Sequence, residues 1–411
     1  MSEVAARHAG ELLFNPFDAA FRADPYPFYR RLRTEEPVHV SPLGMVVLSR
    51  YDDITRTLRE PQFSRDTEKN ATPGPLVARA SRLRRRRRAK TMLVTDPPDH
   101  TRLRRLVQAA FTPRAIERLR PRIGQLVDAV LDRAAEAGEM ELVSELAFPV
   151  PFQVISDLLD MPTERAAELR EWSQALTQAL EPGCTDEQEE AAEQAAAAMG
   201  GYLTEIIDDR RRHPGDDVLS GLIAAEEAGD KLSTDELIAT VLLLYVAGHE
   251  TTVNLIGNGV LTLLRYPSAL TRWRDEPGLD ANAVDELLRF DGPVQLTVRV
   301  PMERVRYLHG GDAVDVEPGT PVLSLLGAGN HDPEVFDNPD ALVLDRPNAA
   351  RHLAFGGGIH YCLGASLARA EAQIAIGRLI RRFPQIELLS EPLWRDRLTI
   401  RGVSELQLSV R

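Results

Sequence analysis

Hydrophobic positions recur at helical spacing through the middle of the chain. One continuous stripe consists of Ile116, Leu119, Ile123, Leu126, Val127, Val130 and Leu131. Apolar residues three and four positions apart share one face of a helix, so this stripe predicts an amphipathic helix. The Ala- and Glu-rich run 186–212, which ends at Pro214, predicts a second helix. Residues 114–292 are therefore expected to be mostly helical.

A much longer helix is predicted in the centre of this region. Ser233 and Glu236 have the spacing of a capping box, in which each side chain satisfies a backbone N–H of the first turn. The helical pattern continues to about Arg265 and stops before Pro267. Its middle, residues 241–247, is apolar on all sides, so this part of the helix must be buried.

Short β-type runs flank the helical region. They are residues 46–48, 294–300, 321–326 and 398–410. The pattern predicts β-rich parts at about 35–65 and 294–411, and helical parts at about 100–292 and 364–383. Because no internal repeat or long linker divides the chain, residues 1–411 are expected to form one domain, mainly α with a smaller β-rich part.

Composition narrows the class of protein. The chain has 411 residues, of which 43% are hydrophobic and 27% charged, as in ordinary globular proteins. Its net charge of −13 argues against nucleic-acid binding. The two cysteines, Cys184 and Cys362, imply no disulfide framework. Without a signal region near Met1 or a run of about 18 apolar residues, we expect a soluble, cytoplasmic monomer that contacts no membrane.

One strongly basic segment departs from the acidic average. Arg82 and the run Arg84–Arg88 lie close together, with Lys90 just after them. Such a run is most simply a solvated surface. Alternatively, it attracts an acidic partner, either a substrate with a carboxylate or phosphate or an acidic carrier protein that presents a tethered substrate.

The segment from Phe355 to Gly364, with Cys362 inside a glycine-rich turn, carries the strongest chemical signal. The helical pattern that follows begins at Ala365 and runs to about Arg381. A sulfur at the start of a helix lies near free N–H groups and the positive end of the helix dipole, which favours the thiolate. A thiolate presented in this way can serve as an axial ligand of haem iron. The alternatives are a small buried hydrophobic residue or a nucleophile with His360 as its base.

The central helix carries an unusual polar segment. Ala247 and Gly248 are followed by His249, Glu250 and Thr251, in what should be the middle of a buried helix. Glycine and charged residues are costly there. A threonine hydroxyl can bond back to a carbonyl one turn earlier and open the helix locally. Glu250 beside Thr251 then forms an acid–alcohol pair that can relay protons, although packing or back-bonding would also explain the threonine.

Together these motifs resemble those of the cytochrome P-450 monooxygenases. The resemblance covers nearly the whole chain, from about Asn15 onward. It implies the P-450 fold, with a long central helix over a haem and the cysteine loop before a C-terminal helix. It also implies that the cofactor is haem b (iron protoporphyrin IX) and that the thiolate of Cys362 is its iron ligand.

The same resemblance assigns roles to further residues. Thr251 and Glu250 are the expected catalytic residues, which deliver protons during the reduction of O2. The expected haem-binding residues are His100, Arg104, Arg299, His360, Phe355, Gly356, Gly364, Ala247 and Gly248. His100 and Arg104 are at helical spacing, and the two propionates of a haem require such cations.

A third motif has an expected structural role. Glu286 and Arg289 would otherwise be an exposed pair of little energetic weight. The resemblance implies that they form a buried ion-pair network with Arg346. The chain departs from the family pattern nearby, with His331 where arginine is usual and Leu342-Val343 in place of Phe-Asp.

The expected substrate pocket is apolar, and its residues are assigned by the resemblance. They are Leu243, Leu244, Ala247, Val294, Gln295, Leu296 and Thr297, with the loop 66–95. The expected substrate is an apolar or amphipathic secondary-metabolite intermediate, such as a polyketide, terpenoid or peptide. No Gly-x-Gly-x-x-Gly motif opens a βαβ unit, so electrons should come from a separate ferredoxin, with Arg102 and Arg105 as candidate contacts.

These features predict a haem-thiolate monooxygenase that hydroxylates or epoxidises its substrate with one atom of O2. The alternatives are a peroxide-driven peroxygenase or peroxidase, an oxidative coupling enzyme, a haem-thiolate sensor without turnover, and a haem-free Cys-His hydrolase. The pair Glu250-Thr251 argues against the peroxide-driven enzyme and the sensor.

Overall fold

A computed structural model describes residues 14–71, 89–181, 184–215, 217–227, 232–309 and 312–411. The helices are α1 (Ala19–Ala23), α2 (Tyr26–Glu35), α3 (Tyr51–Arg59), α4 (Asp99–Gln108), α5 (Pro113–Ala137), α6 (Pro149–Leu159), α7 (Ala166–Gln178), α8 (Asp186–Arg212), α9 (Val218–Glu227), α10 (Thr234–Arg265), α11 (Pro267–Asp275), α12 (Asp280–Asp291), α13 (Leu326–Asn330) and α14 (Ala365–Arg382). A π-helical turn, Val143–Ala147, precedes α6. The predicted mainly helical architecture is confirmed.

The β-structure is divided among small sheets. The strands are β1 (Val38–Ser41), β2 (Met45–Leu48), β3 (Phe63–Ser64), β4 (Glu139–Glu141), β5 (Leu296–Pro301), β6 (Val305–His309), β7 (Asp312–Val316), β8 (Val322–Leu325), β9 (Ile386–Leu388), β10 (Leu393–Trp394), β11 (Val403–Glu405) and β12 (Gln407–Val410). Within the described ranges the largest sheet has the order β1-β2-β8-β5-β3, in which only β2 and β8 are parallel. The order β4-β12-β9 forms a second sheet, and β6-β7 and β10-β11 are two-stranded.

The central helix α10 forms as its sequence predicts. Ser233 accepts from the backbone N–H of Glu236, and the Glu236 side chain accepts from the N–H of Ser233, which completes the capping box. The helix ends at Arg265, before Pro267. Most of its residues are buried in the main hydrophobic core, against α6, α12 and α14. Among the described helices it alone has the length and hydropathy of a membrane-spanning segment, and it lies largely inside the protein.

The predicted β-run 398–410 is only partly a strand. Its last residues form β11 and β12, whereas the backbone N–H groups of Leu398, Thr399 and Ile400 donate to the carboxylate of Glu181 at 2.8–3.3 Å. These N–H groups therefore bond to a buried carboxylate, whereas in a longer strand they would bond to the carbonyls of a neighbouring strand. The sequence gives no local signal of this contact, because Glu181 lies more than 200 residues earlier.

The side chains of Glu286, Arg289 and Arg346 form a buried ion-pair network. Arg289 Nε lies 2.7 Å from Glu286 Oε2, and Arg346 Nε lies 3.0 Å from the same oxygen. The other oxygen, Oε1, accepts from the backbone N–H of Val343 at 2.9 Å. Because Val343 contributes its main chain, the departure from the family pattern at 342–343 does not disturb the network. One carboxylate thus ties α12 to the loop before the cysteine turn.

Replacement of Glu286 by Gln should strongly destabilise the protein. Both arginines would keep their buried positions without a compensating charge, which typically costs about 3–5 kcal/mol. The measurement is the urea midpoint of unfolding. Glu35→Gln is the matched control, because Glu35 pairs with Arg31 on an exposed helix face and should cost about 1 kcal/mol or less. Equal shifts in the two variants would contradict this account.

Candidate haem-thiolate active site

The cysteine loop has a fixed backbone. Gly356 and Gly358 have φ angles of 69° and 66°, a region that favours glycine. A Cβ atom at Gly358 would lie 2.4 Å from the carbonyl oxygen of Leu58, so α3 packs directly against the loop. The N–H of Cys362 donates to the carbonyl of Phe355 at 3.0 Å, and α14 begins three residues after the cysteine. The loop therefore holds the sulfur at the start of a helix.

The pKa of the Cys362 thiol is shifted in the direction opposite to that expected from its place at the start of a helix. Burial raises the pKa of its thiol, and this effect outweighs the lowering by the Gly364 N–H and by the guanidinium groups of Arg104 and Arg369. The helix terminus alone therefore does not make this cysteine a thiolate. A bound metal ion can do so, because a coordinating thiol loses its proton.

Two predicted haem-binding histidines lie side by side. The ring centroids of His100 and His360 are 4.4 Å apart. Among the residues that the structure describes, neither Nε2 atom has a hydrogen-bond partner. Burial lowers the pKa of His360 to about 3, with further lowering by Arg299 and His100, and burial also lowers the pKa of His100. Both rings are therefore neutral at pH 7, and the Nε2 atom of each is free to bond to a ligand.

Two arginines lie near these rings. Arg299 is buried, at 4% exposed, and donates to Thr297 Oγ1 and the Val298 carbonyl. Burial lowers its pKa to about 10, and the charge of Asp96 opposes this lowering only in part. Arg104 is partly exposed and donates to the Tyr361 carbonyl at 2.8 Å. The site fits a ligand that carries two carboxylates, as haem does, because within the described ranges neither guanidinium bonds to a carboxylate.

Arg65 belongs to the same cluster, and the sequence interpretation missed it. Its Nη1 donates to the carbonyl of Val298 at 2.9 Å, and its charge contributes to the low pKa of His360. Arg65 reaches this cluster because β3 pairs with β5, which joins Ser64 to Val300 across more than 200 residues. The short pattern Phe63–Ser64 before Arg65 was too weak a strand signal to reveal it.

The helix α10 presents the predicted acid–alcohol pair without a break. Thr251 Oγ1 donates to the carbonyl of Ala247 at 3.2 Å, which is the back-bond that the sequence suggested. The helix runs without interruption from Thr234 to Arg265, so the back-bond does not divide it. Ala247 is nevertheless exposed within this otherwise buried segment. A Cβ atom at Gly248 would lie 2.9 Å from Ile155, so the glycine allows α6 to pack closely.

Glu250 is buried beside a partner that the sequence interpretation did not identify. It is 1% exposed, and its Oε2 lies 3.1 Å from Arg395 Nη1. Its other oxygen, Oε1, lies 3.9 Å from His249 Nε2. Arg395 follows β10, and 145 residues separate it from Glu250. Such a long-range contact leaves no local pattern in the sequence.

The expected pocket residues divide into two groups. Leu243, Val294 and Thr297 keep part of their surface accessible. Leu244 is 6% exposed in the main core, Leu296 is 7% exposed in the core around Tyr29, and Gln295 is fully buried. These three side chains therefore expose little or no surface. The side chain of Gln295 donates to the Gly292 carbonyl.

The two candidate contacts for a redox partner, Arg102 and Arg105, differ in their surroundings. Arg102 is held within the molecule, because its Nη2 lies 2.6 Å from Glu236 and 3.1 Å from Asp99. Arg105 is exposed on the same helix. The run Arg84–Arg88, with Arg82, and most of the loop 66–95 lie outside the described residues. The structure therefore favours Arg105 over Arg102 as an available surface charge.

Comparison with known proteins agrees with this arrangement. A family model described as "Cytochrome P450" matches residues 36–278 and 279–392. Cytochrome P450 107B1 of Saccharopolyspora erythraea is 44% identical in an alignment of 403 positions that covers 95% of this chain and 96% of that protein. Polyketide biosynthesis cytochrome P450 PksS of Bacillus subtilis is 36% identical in an alignment of 419 positions, gaps included, that covers 97% of this chain and 99% of that protein.

A solved structure shows the same fold with a protein partner. It is P450BioI in complex with an acyl carrier protein ligated to hexadec-9Z-enoic acid, with a TM-score of 0.86 and 35% identity. The match covers 96% of this chain and 99% of that one. The motifs, the fold and these relatives lead to one conclusion: the chain belongs to the cytochrome P450 family and is a haem-dependent monooxygenase.

Proposed function

We propose that this protein binds haem b through Cys362 and uses O2 to hydroxylate or epoxidise an apolar organic substrate. The observation that carries the proposal is the glycine-rich cysteine turn together with the buried Arg299 and the unpartnered Nε2 atoms of His100 and His360. When bound, the haem iron supplies the binding and activation of O2. The protein's own residues hold the cofactor, orient the substrate and deliver protons.

Two groups of residues are assigned to hold the haem: those of the cysteine turn, and the arginines and histidines near it. Cys362 would supply the thiolate ligand, and Arg104, Arg299, His100 and His360 would bind the propionates. Phe355, Gly356 and Gly364 would hold the cofactor from the cysteine turn, and Ala247 and Gly248 would do so from the central helix. Arg65 adds a charge to the propionate site.

Proton delivery is assigned to Glu250 and Thr251. Glu250 is buried but in contact with Arg395, which lines a polar cleft. The Thr251 hydroxyl is adjacent in sequence, and because it has a single O–H it would release the Ala247 carbonyl, donate that hydrogen and take a replacement proton from the Glu250 side. An acid–alcohol pair serves O2-driven chemistry, whereas a peroxide-driven reaction does not require it.

The substrate class follows from the accessible apolar residues and the relatives. Leu243, Val294 and Ala247 offer aliphatic surface, and Thr297 adds one hydroxyl. One relative is named for polyketide biosynthesis, and a structural neighbour binds an acyl carrier protein. We therefore assign a secondary-metabolite intermediate, free or carried by an acidic carrier protein. Oxidative coupling on the same fold would leave no oxygen atom in the product, and this difference distinguishes the two reactions.

We assign the supply of electrons to a separate ferredoxin, with the exposed Arg105 of α4 as a contact. The chain has no nicotinamide or flavin fingerprint of its own. We place the reaction in the cytoplasm, with the protein acting as a monomer.

Isotope labelling tests the proposed reaction directly. Reduced ferredoxin and a panel of macrolactones and long-chain acyl substrates are supplied under ¹⁸O₂. The expected product contains one labelled oxygen atom. Products without label would instead indicate coupling, and turnover that requires added peroxide would support the peroxygenase.

Replacement of Thr251 by Ala should divert reducing equivalents to peroxide. Haem content and substrate binding should be unchanged, because the threonine contributes no ligand. The ratio of product to reductant consumed should fall about 100-fold, the low end of what a positioned proton donor contributes. Thr262→Ala, a buried threonine further along the same helix, is the control. Full coupling in Thr251→Ala would remove this residue from the mechanism.

Replacement of Arg299 by Gln should weaken haem retention. The loss of a charge-assisted hydrogen bond to a propionate should lower haem affinity about tenfold or more. The measurement is the rate and extent of haem transfer to a competing haem-binding protein. Arg306→Gln is the control, because Arg306 pairs with Asp315 on an exposed hairpin. Equal retention in both variants would exclude Arg299 from the propionate site.

A further inference from the structure

Asp96 lies beside the candidate propionate site, and its carboxylate is bonded to three donors. Oδ2 lies 2.7 Å from the Nζ atom of Lys69 and also accepts from the hydroxyl of Ser64. Oδ1 accepts from the backbone N–H of Arg65 at 2.9 Å. The backbone carbonyl of Asp96 accepts from the N–H of His100 at 3.0 Å. One residue thus joins the end of β3 to the beginning of α4.

The Asp96 carboxylate is also close to the buried Arg299. Ser64 of β3 pairs with Val300 of β5, and Arg299 is the residue before Val300. Paired strands lie about 4.8 Å apart, so a carboxylate bonded to Ser64 is about one strand spacing from this part of β5. The two charges interact, because burial lowers the pKa of Arg299 and the charge of Asp96 raises it.

Despite this proximity, no described hydrogen bond or ion pair joins Asp96 to Arg299. A buried guanidinium and a nearby carboxylate would be expected to pair, because pairing offsets the cost of burying the charge. The carboxylate pairs instead with Lys69, whose side chain is 38% exposed, whereas Arg299 is 4% exposed. The lysine therefore holds the carboxylate in a more solvent-accessible ion pair, and Arg299 keeps only a hydroxyl and a carbonyl as described partners.

We propose that Lys69 and Asp96 are positioning residues for the haem: the ion pair with Lys69 keeps the Asp96 carboxylate from bonding to Arg299 and so leaves that guanidinium for a propionate. The two carboxylates have the same charge and would bind the same N–H groups. Without Lys69, Asp96 would compete with the propionate from within the protein, at the high effective concentration of a tethered group. This inference rests on the proposed role of Arg299 in propionate binding.

A second lysine in the same region provides a matched control. The Nζ atom of Lys90 lies 2.8 Å from Asp66 and 2.6 Å from Glu68, and its side chain is 43% exposed. Both acids lie just before Lys69, and neither bonds to Arg299 in the described structure. Loss of Lys90 would therefore remove ion pairs of similar exposure from the segment after β3, without releasing the carboxylate beside Arg299.

The experiment measures the rate of haem transfer from the holoenzyme to a competing haem-binding protein. Lys69→Met should release haem about threefold to tenfold faster than the unchanged protein, because competition for Arg299 weakens a charge-assisted hydrogen bond to the propionate. Lys90→Met and the conservative Lys69→Arg should release haem at the unchanged rate. Lys69→Met should have no effect in an Asp96→Asn background, in which no carboxylate is left to compete.

A spectroscopic readout separates competition for Arg299 from a general loosening of the segment. The propionate bending band in the resonance Raman spectrum of the bound haem responds to hydrogen bonding of the propionate. Lys69→Met should shift this band in the same direction as Arg299→Gln does. Lys90→Met should leave the band in place.

The outcomes for Lys69 and Arg299 distinguish this inference from the proposed function. An unchanged release rate in Lys69→Met, an equal acceleration in Lys90→Met, or an effect of Lys69→Met that persists in the Asp96→Asn background would each overturn the inference. In these cases faster release from Arg299→Gln would still support the proposed propionate site. Unchanged haem retention in Arg299→Gln would instead refute that site, whatever the lysine variants show.

Discussion

The burial of a cationic side chain without a carboxylate partner is the constraint on which this site depends. Arg299 is almost fully buried, and its described hydrogen bonds go to a hydroxyl and a carbonyl. Such a charge costs folding free energy unless an anion compensates it. The neutral rings of His100 and His360 have Nε2 atoms without partners in the described structure. A bound anionic cofactor would compensate the charge of Arg299 and accept hydrogen bonds from these rings, so its binding and the stability of this region would be linked.

The rest of the fold keeps these groups in place. The network around Glu286 anchors α12 to the loop that leads into the cysteine turn, and β3 pairs with β5 to bring Arg65 and Arg299 to the same site. On the other side, α10 crosses the core with its polar segment held between α6 and the segment after β10. Separate sets of contacts thus fix the cysteine turn with its arginines and the polar segment of α10.

The sequence predicted well those features that depend on local chemistry. The capping box at Ser233, the proline after Arg265 and the glycine-rich turn around Cys362 each have a short-range physical cause, and the structure contains all three. Features that depend on distant contacts were not predictable. Arg395 and Glu181 act on residues more than 100 positions away, and no periodicity marks them. Similarly, Gln295 bonds to Tyr26 and Leu296 packs in the core around Tyr29, and both contacts join residues more than 250 positions apart.

Residue Cys362 is where the account is tested most directly, because burial raises the pKa of its thiol and only a metal bond would keep it deprotonated. The measurement is the carbon monoxide difference spectrum of the reduced, purified protein. The account predicts the strongly red-shifted Soret band of a haem with a thiolate ligand. A band at the position of histidine- or thiol-ligated haem, or the absence of any haem band, would contradict it.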